Sequence, residues 1–340
     1  MTAPAGHAWM PRSPCDTGCL PSDPPTVSAL VRWLRWTGLA LVALAAVVLG
    51  LVAVLVPVLR PCVQRWTVRG VLRGCGVSLQ VRGAPVWGGR DGRAVLVAAR
   101  HVSWLDALAL PAVAPVVMVA RADLAGWPVL GAVARRGRTV FLDRAALREL
   151  PGVVEQVAAG LREGRSTAVF AEGTTWCGTA HGRFRPALLQ AAVDTGADVV
   201  PVALRYTGAD GAPTTAAAFV GDETFVASLR RIVGLRGLGV EITVLPAQAP
   251  GQDRRELAAR CTAAVELVGS ELPPLRVRVP EHQRDAHGDT GVRSAHRDTG
   301  VRSAHQVSAS DPSTASWRRT ITQSPQGSSA RPSRPSSVAG

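Results

Sequence analysis

His101 and Asp106, with Val102-Ser103-Trp104-Leu105 between them, follow directly on the apolar run Ala94-Val95-Leu96-Val97-Ala98-Ala99. A carboxylate this near an imidazole can accept the proton of one ring nitrogen, fix the tautomer and leave the other nitrogen free as a general base. The same spacing also suits a strand-end histidine paired to a helix N-cap aspartate. Of the seven histidines, His7, His282, His287, His296 and His305 lie in polar stretches, which leaves His101 and His181 for imidazole chemistry. Ser103 is a poor nucleophile by pattern, because Val102-Ser103-Trp104 lacks the glycines of a nucleophile elbow. Cys177 near His181 is a weaker thiol–imidazole arrangement.

Further polar residues fall where apolar runs end. Arg121 closes Val116–Ala120. Arg138 and Arg144 flank Thr139–Leu142, and Glu172-Gly173-Thr174-Thr175 follows Thr167–Ala171. These runs, with Val77–Val81, Val199–Leu204 and Val240–Leu245, read as strands. Amphipathic stretches at Trp104–Val113, Leu124–Arg135, Pro151–Glu163, Pro186–Thr195, Glu223–Val233 and Arg254–Val268 read as helices between and after them. Alternation of this kind predicts an α/β fold, a mostly parallel sheet flanked by helices, with its site at the carboxyl ends of the strands.

The chain of 340 residues divides by composition into a disordered tail over 1–27, a membrane-anchor helix over 28–60, one catalytic domain over 61–275 and a low-complexity disordered tail over 276–340. Thr37–Leu59 carries no charge and is long enough to span a bilayer. It runs into Pro57, Arg60 and Pro61 rather than a small-residue cleavage site, so an anchor is expected rather than a removed leader. The anchor places the protein at the cell membrane. Arginine is slightly heavier after the segment than before it, which favours a cytoplasmic domain. A helix lying partly in one leaflet is the alternative. The tail repeats Asp289–Arg297 almost unchanged as Asp298–Gln306, too short and polar a unit to stack into a solenoid.

The formal net charge is +13, and all 38 basic residues are arginine. Guanidinium suits phosphate or an anionic membrane face. Nucleic acid is not expected, since no basic run is interleaved with aromatics. The six cysteines have neither metal-ligand spacing nor the density of a disulfide framework, so reduced thiols and no metal are expected.

Taken in order, the motifs resemble those of the glycerolipid acyltransferase family typified by 1-acylglycerol-3-phosphate acyltransferase. His101 and Asp106 match its His-x-x-x-x-Asp motif. Gly137, Phe141 and Arg144 match the second motif, Glu172-Gly173-Thr174 the third and Val200-Pro201-Val202 the fourth, across roughly residues 75–250. Arg100 stands where the family commonly has Asn before the histidine, Ala171 where proline usually precedes the glutamate, and Thr175 where many members carry Arg or Ser. The resemblance implies that His101, oriented by Asp106, deprotonates a glycerol hydroxyl that attacks the thioester of acyl-CoA or acyl carrier protein. It also implies that Arg144, with Arg121 and Arg138, holds the acceptor phosphate, and that Glu172, Gly173 and Thr174 shape the pocket. No cofactor is implied beyond the acyl donor as co-substrate. The expected product is phosphatidate, made from a lysophospholipid at the bilayer. Another lysolipid acceptor such as lyso-ornithine lipid is the alternative within the class, and a non-catalytic lipid-binding membrane protein of the same fold is the alternative outside it.

Overall fold

The computed structural model describes residues 10–270 apart from 85, 86, 88, 90 and 91, so the duplicated segment and the tail over 276–340 lie outside the described residues. Seven strands form one sheet: β1 (Ser78–Gly83), β2 (Leu96–Ala99), β3 (Val117–Arg121), β4 (Val140–Leu142), β5 (Thr167–Phe170), β6 (Val199–Thr207) and β7 (Gly239–Val244). Their order is β1-β7-β6-β2-β5-β3-β4. Every pairing is parallel except β6 with β7. The expected fold class is therefore the one observed.

The central strand explains the layering. All of β2 is buried, as a parallel strand covered on both faces should be. Val97 and Ala99 join a core formed with α2 (Arg60–Gly74), α3 (Asp106–Val113) and α7 (Phe225–Gly234). Leu96 and Ala98 join a second core on the other face, formed with α5 (Leu150–Arg162), α6 (Gln190–Thr195) and α8 (Arg254–Ser270). The short α4 (Pro128–Arg136) links β3 to β4.

The apolar segment forms α1 (Ala29–Leu55), capped by Ser28. It does not stand alone. α1 and α2 pack as an antiparallel hairpin in which glycine allows close approach: a Cβ on Gly70 would lie 3.0 Å from Val42 Cγ1, and one on Gly74 would lie 2.7 Å from Leu39 Cδ2. Both ends of the hairpin are tied to the sheet domain. At the start of α1, Val27 N donates to Gly234 O at 2.9 Å. At the end of α2, Val77 leads into β1 and is buried.

The arginines around the apolar segment prove to be helix caps. Arg35 donates from Nη1 to Val233 O and Leu235 O at the end of α7. From α2, Arg65 Nη2 reaches Val113 O and Arg69 Nε reaches Ala112 O at the end of α3. Cations satisfying the last carbonyls of a helix also meet the negative end of its dipole. The positions of these three arginines are thus explained by the fold.

Residues 10–27 differ from the expected disordered tail. Asp16 caps a 3-10 turn at Thr17–Cys19, and Cys15 is buried with Cys19 and Leu20 packed against the first core. Thr215 Oγ1 donates to Cys19 O at 2.7 Å, Arg236 N donates to Pro25 O at 2.8 Å, and Thr26 bridges Leu235. A few scattered apolar contacts hold an irregular strap in place, and a strap of that kind has no periodicity for a sequence pattern to show.

Candidate active site

The loop leaving β2 turns immediately into α3, and the turn is closed by one side chain. Asp106 Oδ2 accepts from Val102 N at 2.7 Å, from Ser103 N at 2.8 Å and from His101 Nδ1 at 3.0 Å. Its other oxygen accepts from Tyr206 Oη at 2.5 Å. The residue is completely buried. A buried carboxylate is tolerated only when its lone pairs are filled, and here both oxygens are engaged. Its position in the first turn of α3 also suits the helix dipole.

Because the carboxylate takes the Nδ1 proton, the basic lone pair of His101 is left on Nε2. The ring is held a second way. It stacks on Phe170 from the end of β5, with centroids 3.7 Å apart and planes 7° from parallel. Its side chain keeps 13% exposure. Ser103, by contrast, is buried, and its hydroxyl accepts from Leu105 N. Serine nucleophilic chemistry is excluded by that burial.

Glu172 joins the ends of β2 and β5. Oε2 accepts from His101 N at 2.8 Å and Oε1 from Gly182 N at 3.0 Å, so both oxygens are committed to backbone and the carboxylate shapes the pocket through the chain. Burial pushes its carboxyl up to about 7, against the pull of the His101 N–H, the Arg100 guanidinium and the Gly182 N–H. Gly173 follows with a φ of +79°, a left-handed conformation suited to glycine. A Cβ there would meet Pro11 Cγ at 2.8 Å, so the strap lies directly on the third motif. Thr174 is half-buried beside it. His181 Nδ1 lies 4.0 Å from Glu172 Oε1. Burial, reinforced by Arg100, lowers His181 to about 4. The Cys177 thiol pairs with Thr179 Oγ1 rather than forming a thiol–imidazole couple.

The three arginines separate. Arg121 ends β3 and pairs in register with Leu142 of β4, so Arg144, just past β4, lies at the same carboxyl edge of the sheet as His101. Strand spacing puts β3 about 10 Å and β4 about 14 Å from β2. Burial, with Arg121 close by, lowers Arg144 to about 10. Arg121 makes a two-pronged pair with Asp123. Arg138 precedes β4, exposed and with a φ of +56°. Its side of the strand is the amino edge, away from His101, and it does not belong with the other two.

The chain is 34% identical over 203 residues to the 1-acyl-sn-glycerol-3-phosphate acyltransferase of Neisseria meningitidis, covering 59% of this chain and 78% of that one. The chain belongs to the glycerolipid acyltransferase family. The lyso-ornithine lipid O-acyltransferase of Pseudomonas aeruginosa is 35% identical over 210 residues, covering 61% of this acyltransferase and 79% of the relative. A family model described as Acyltransferase matches residues 82–205. The 1-acyl-sn-glycerophosphate (LPA) acyltransferase PlsC from Thermotoga maritima superposes with a TM-score of 0.47 at 20% identity, covering 70% of this chain and 97% of that one.

Tyr206 is the residue of this acyltransferase site that pattern reading missed. It is the single tyrosine of the chain, on the strand opened by the fourth motif and on the same face as buried Val202 and Leu204. A lone tyrosine at an inward strand position is the available signal. In Tyr206→Phe, loss of a hydrogen bond to a charged group is expected to lower kcat about tenfold with little change in KM. Unchanged kcat would show that Asp106 is held adequately by the other three donors. A pH experiment addresses Glu172. Its folded pKa of about 7 lies above the ordinary 4.5, so its contribution to stability is present below 4.5 and is lost as pH rises through about 7. The Tm of wild type relative to Glu172→Gln should fall over that range and level off above it. A flat difference would mean that the carboxyl ionises alike in both states.

Proposed function

We propose that this glycerolipid acyltransferase transfers an acyl chain from a thioester, acyl-CoA or acyl carrier protein, to the free hydroxyl of 1-acylglycerol-3-phosphate. The observation that carries the acceptor is the pair Arg121 and Arg144 at the edge of the sheet where His101 lies. Arg121 and Arg144 with Asp123 form a cluster of one net positive charge, which favours an anion, and guanidinium can hold phosphate oxygens two at a time.

His101 Nε2 takes the hydroxyl proton as the oxygen attacks the thioester carbonyl. The tetrahedral intermediate expels the thiolate, and the imidazolium returns the proton to that leaving sulfur. Asp106 keeps its charge throughout and balances the imidazolium. No acyl-enzyme is required, because a thioester is already a good electrophile and the protein's task is to orient it.

The acceptor lies in a membrane, and the same proposal places the α1–α2 hairpin there. Leu44, Val47, Val48, Leu51, Val54 and Leu55 are exposed, and α1 is long and apolar enough to cross a bilayer. Trp33 is exposed near the domain end of α1, a position suited to the headgroup region. Since both ends of the hairpin attach to one domain, we read it as entering and leaving by the same face. A second acceptor is favoured by similarity to the Pseudomonas enzyme: lyso-ornithine lipid, whose carboxylate would occupy the arginine pair.

A panel of lysolipids offered with a thioester donor to detergent-solubilised protein tests the proposal. Lysophosphatidate should turn over, and His101→Ala should lose a factor on the order of 100 or more. Arg144→Ala should raise the acceptor KM about tenfold or more with a smaller change in kcat. Unchanged turnover in His101→Ala sinks the mechanism. Turnover of lyso-ornithine lipid alone keeps the mechanism and replaces the acceptor, and an unaltered KM in Arg144→Ala removes that residue from the anion site.

A further inference from the structure

The strap brings two cysteines to a third that is far away in sequence. The sulfur atoms of Cys15, Cys19 and Cys177 all lie within 4.8 Å of one another. Cys15 and Cys177 are buried and Cys19 is half-buried. We infer that these three residues form a thiolate site for a thiophilic divalent cation, zinc being the fitting ion, that fastens the strap to the loop after β5.

The chemistry supports an ion rather than a bond. A disulfide would satisfy two of the sulfurs and leave the third beside them, whereas a cation uses all three. Tetrahedral zinc with bonds of about 2.3 Å holds its thiolates about 3.8 Å apart, so the trio needs only small adjustments to close on one. Soft sulfur ligands select zinc over magnesium or calcium. Hydrogen-bonding groups already face the sulfurs. Cys177 N donates to Cys15 Sγ at 3.3 Å, and Thr179 Oγ1 lies 2.9 Å from Cys177 Sγ. Hydrogen bonds of this kind orient metal ligands and spread their charge. The other cysteines, Cys62, Cys75 and Cys261, belong to no such group among the described residues.

The location gives the site a consequence. Trp176, the residue before Cys177, donates from its backbone N to His101 O at 2.8 Å, and the same loop begins with Glu172, which holds His101 N. On the strap side, Pro11 lies over Gly173. An ion at the trio therefore fixes the register between the strap and the loop that carries the backbone of the general base. It is a structural site, not a participant in acyl transfer.

The test reads metal directly and is independent of which acceptor is used. Full-length protein purified in detergent, reduced and supplied with zinc, should retain one ion per chain by elemental analysis. Cobalt substitution should give the intense sulfur-to-cobalt charge-transfer band of a thiolate site. Cys15→Ser, Cys19→Ser and Cys177→Ser should each weaken binding at least tenfold, while Cys62→Ser should not, and limited proteolysis should cut the strap faster after chelation. If any serine variant fails to fold, the cobalt spectrum of the wild-type chain still decides the matter. Reduced wild type that binds neither zinc nor cobalt overturns the proposal. So does a disulfide between any two of the trio found by mass spectrometry in zinc-supplied protein.

Discussion

One buried carboxylate organises this site. Asp106 accepts from two backbone amides of its own turn, from the imidazole five positions earlier and from a tyrosine on another strand. Leaving such a group unsatisfied in a dry interior costs several kcal/mol, so the turn, the ring and the strand are each constrained to the geometry that supplies a donor. The state of the imidazole follows from the same requirement: once the carboxylate holds Nδ1–H, only Nε2 keeps a basic lone pair. The fold thus sets the tautomer for the reason that it must neutralise a charge it has buried.

The parts of the site that were legible in the sequence are those whose partners lie near in the chain or in regular elements. His101 and Asp106 are in one turn. Each predicted strand appears within a few residues; for central strands such as β2 the reason is that strands buried on both faces are continuous apolar runs. What escaped notice depends on contacts between distant segments. Tyr206 reaches Asp106 across a hundred residues. Glu172 reads in the sequence as a residue that shapes the pocket, but the backbone amides its oxygens meet have no sequence signature. Arg138 and Arg144 look equivalent as flanks of one short strand, yet a strand has two ends and only one of them faces the site. Cys15 and Cys19 gave no recognisable pattern because Cys177, which completes the group, is separated from them by most of the sheet.

The hairpin and the catalytic turn are mechanically continuous. α3 begins with Asp106 and ends on carbonyls capped by Arg65 and Arg69 from α2, so one short helix has the base-orienting carboxylate at its first turn and the apolar hairpin at its last. α7 is joined to α1 in the same way through Arg35, and Ser228 of α7 accepts from the indole of Trp104, between His101 and Asp106. Arginine suits this task, because its planar fork satisfies carbonyls with little further ordering.

The departure at Arg100 makes physical sense beside Glu172. A carboxylate buried between two backbone amides is raised towards neutrality by desolvation, and a nearby guanidinium opposes that rise. Arg100 is itself buried, and its Nε and Nη1 find no hydrogen-bond acceptor among the described residues. Burial lowers its pKa, and the carboxylates of Glu172 and Glu266 work against that change. Two buried groups of opposite charge therefore stabilise one another electrostatically without a close contact. An uncharged amide at position 100 leaves the carboxyl with its two N–H donors alone. The arginine thus contributes to keeping ionised the group that anchors the backbone of His101.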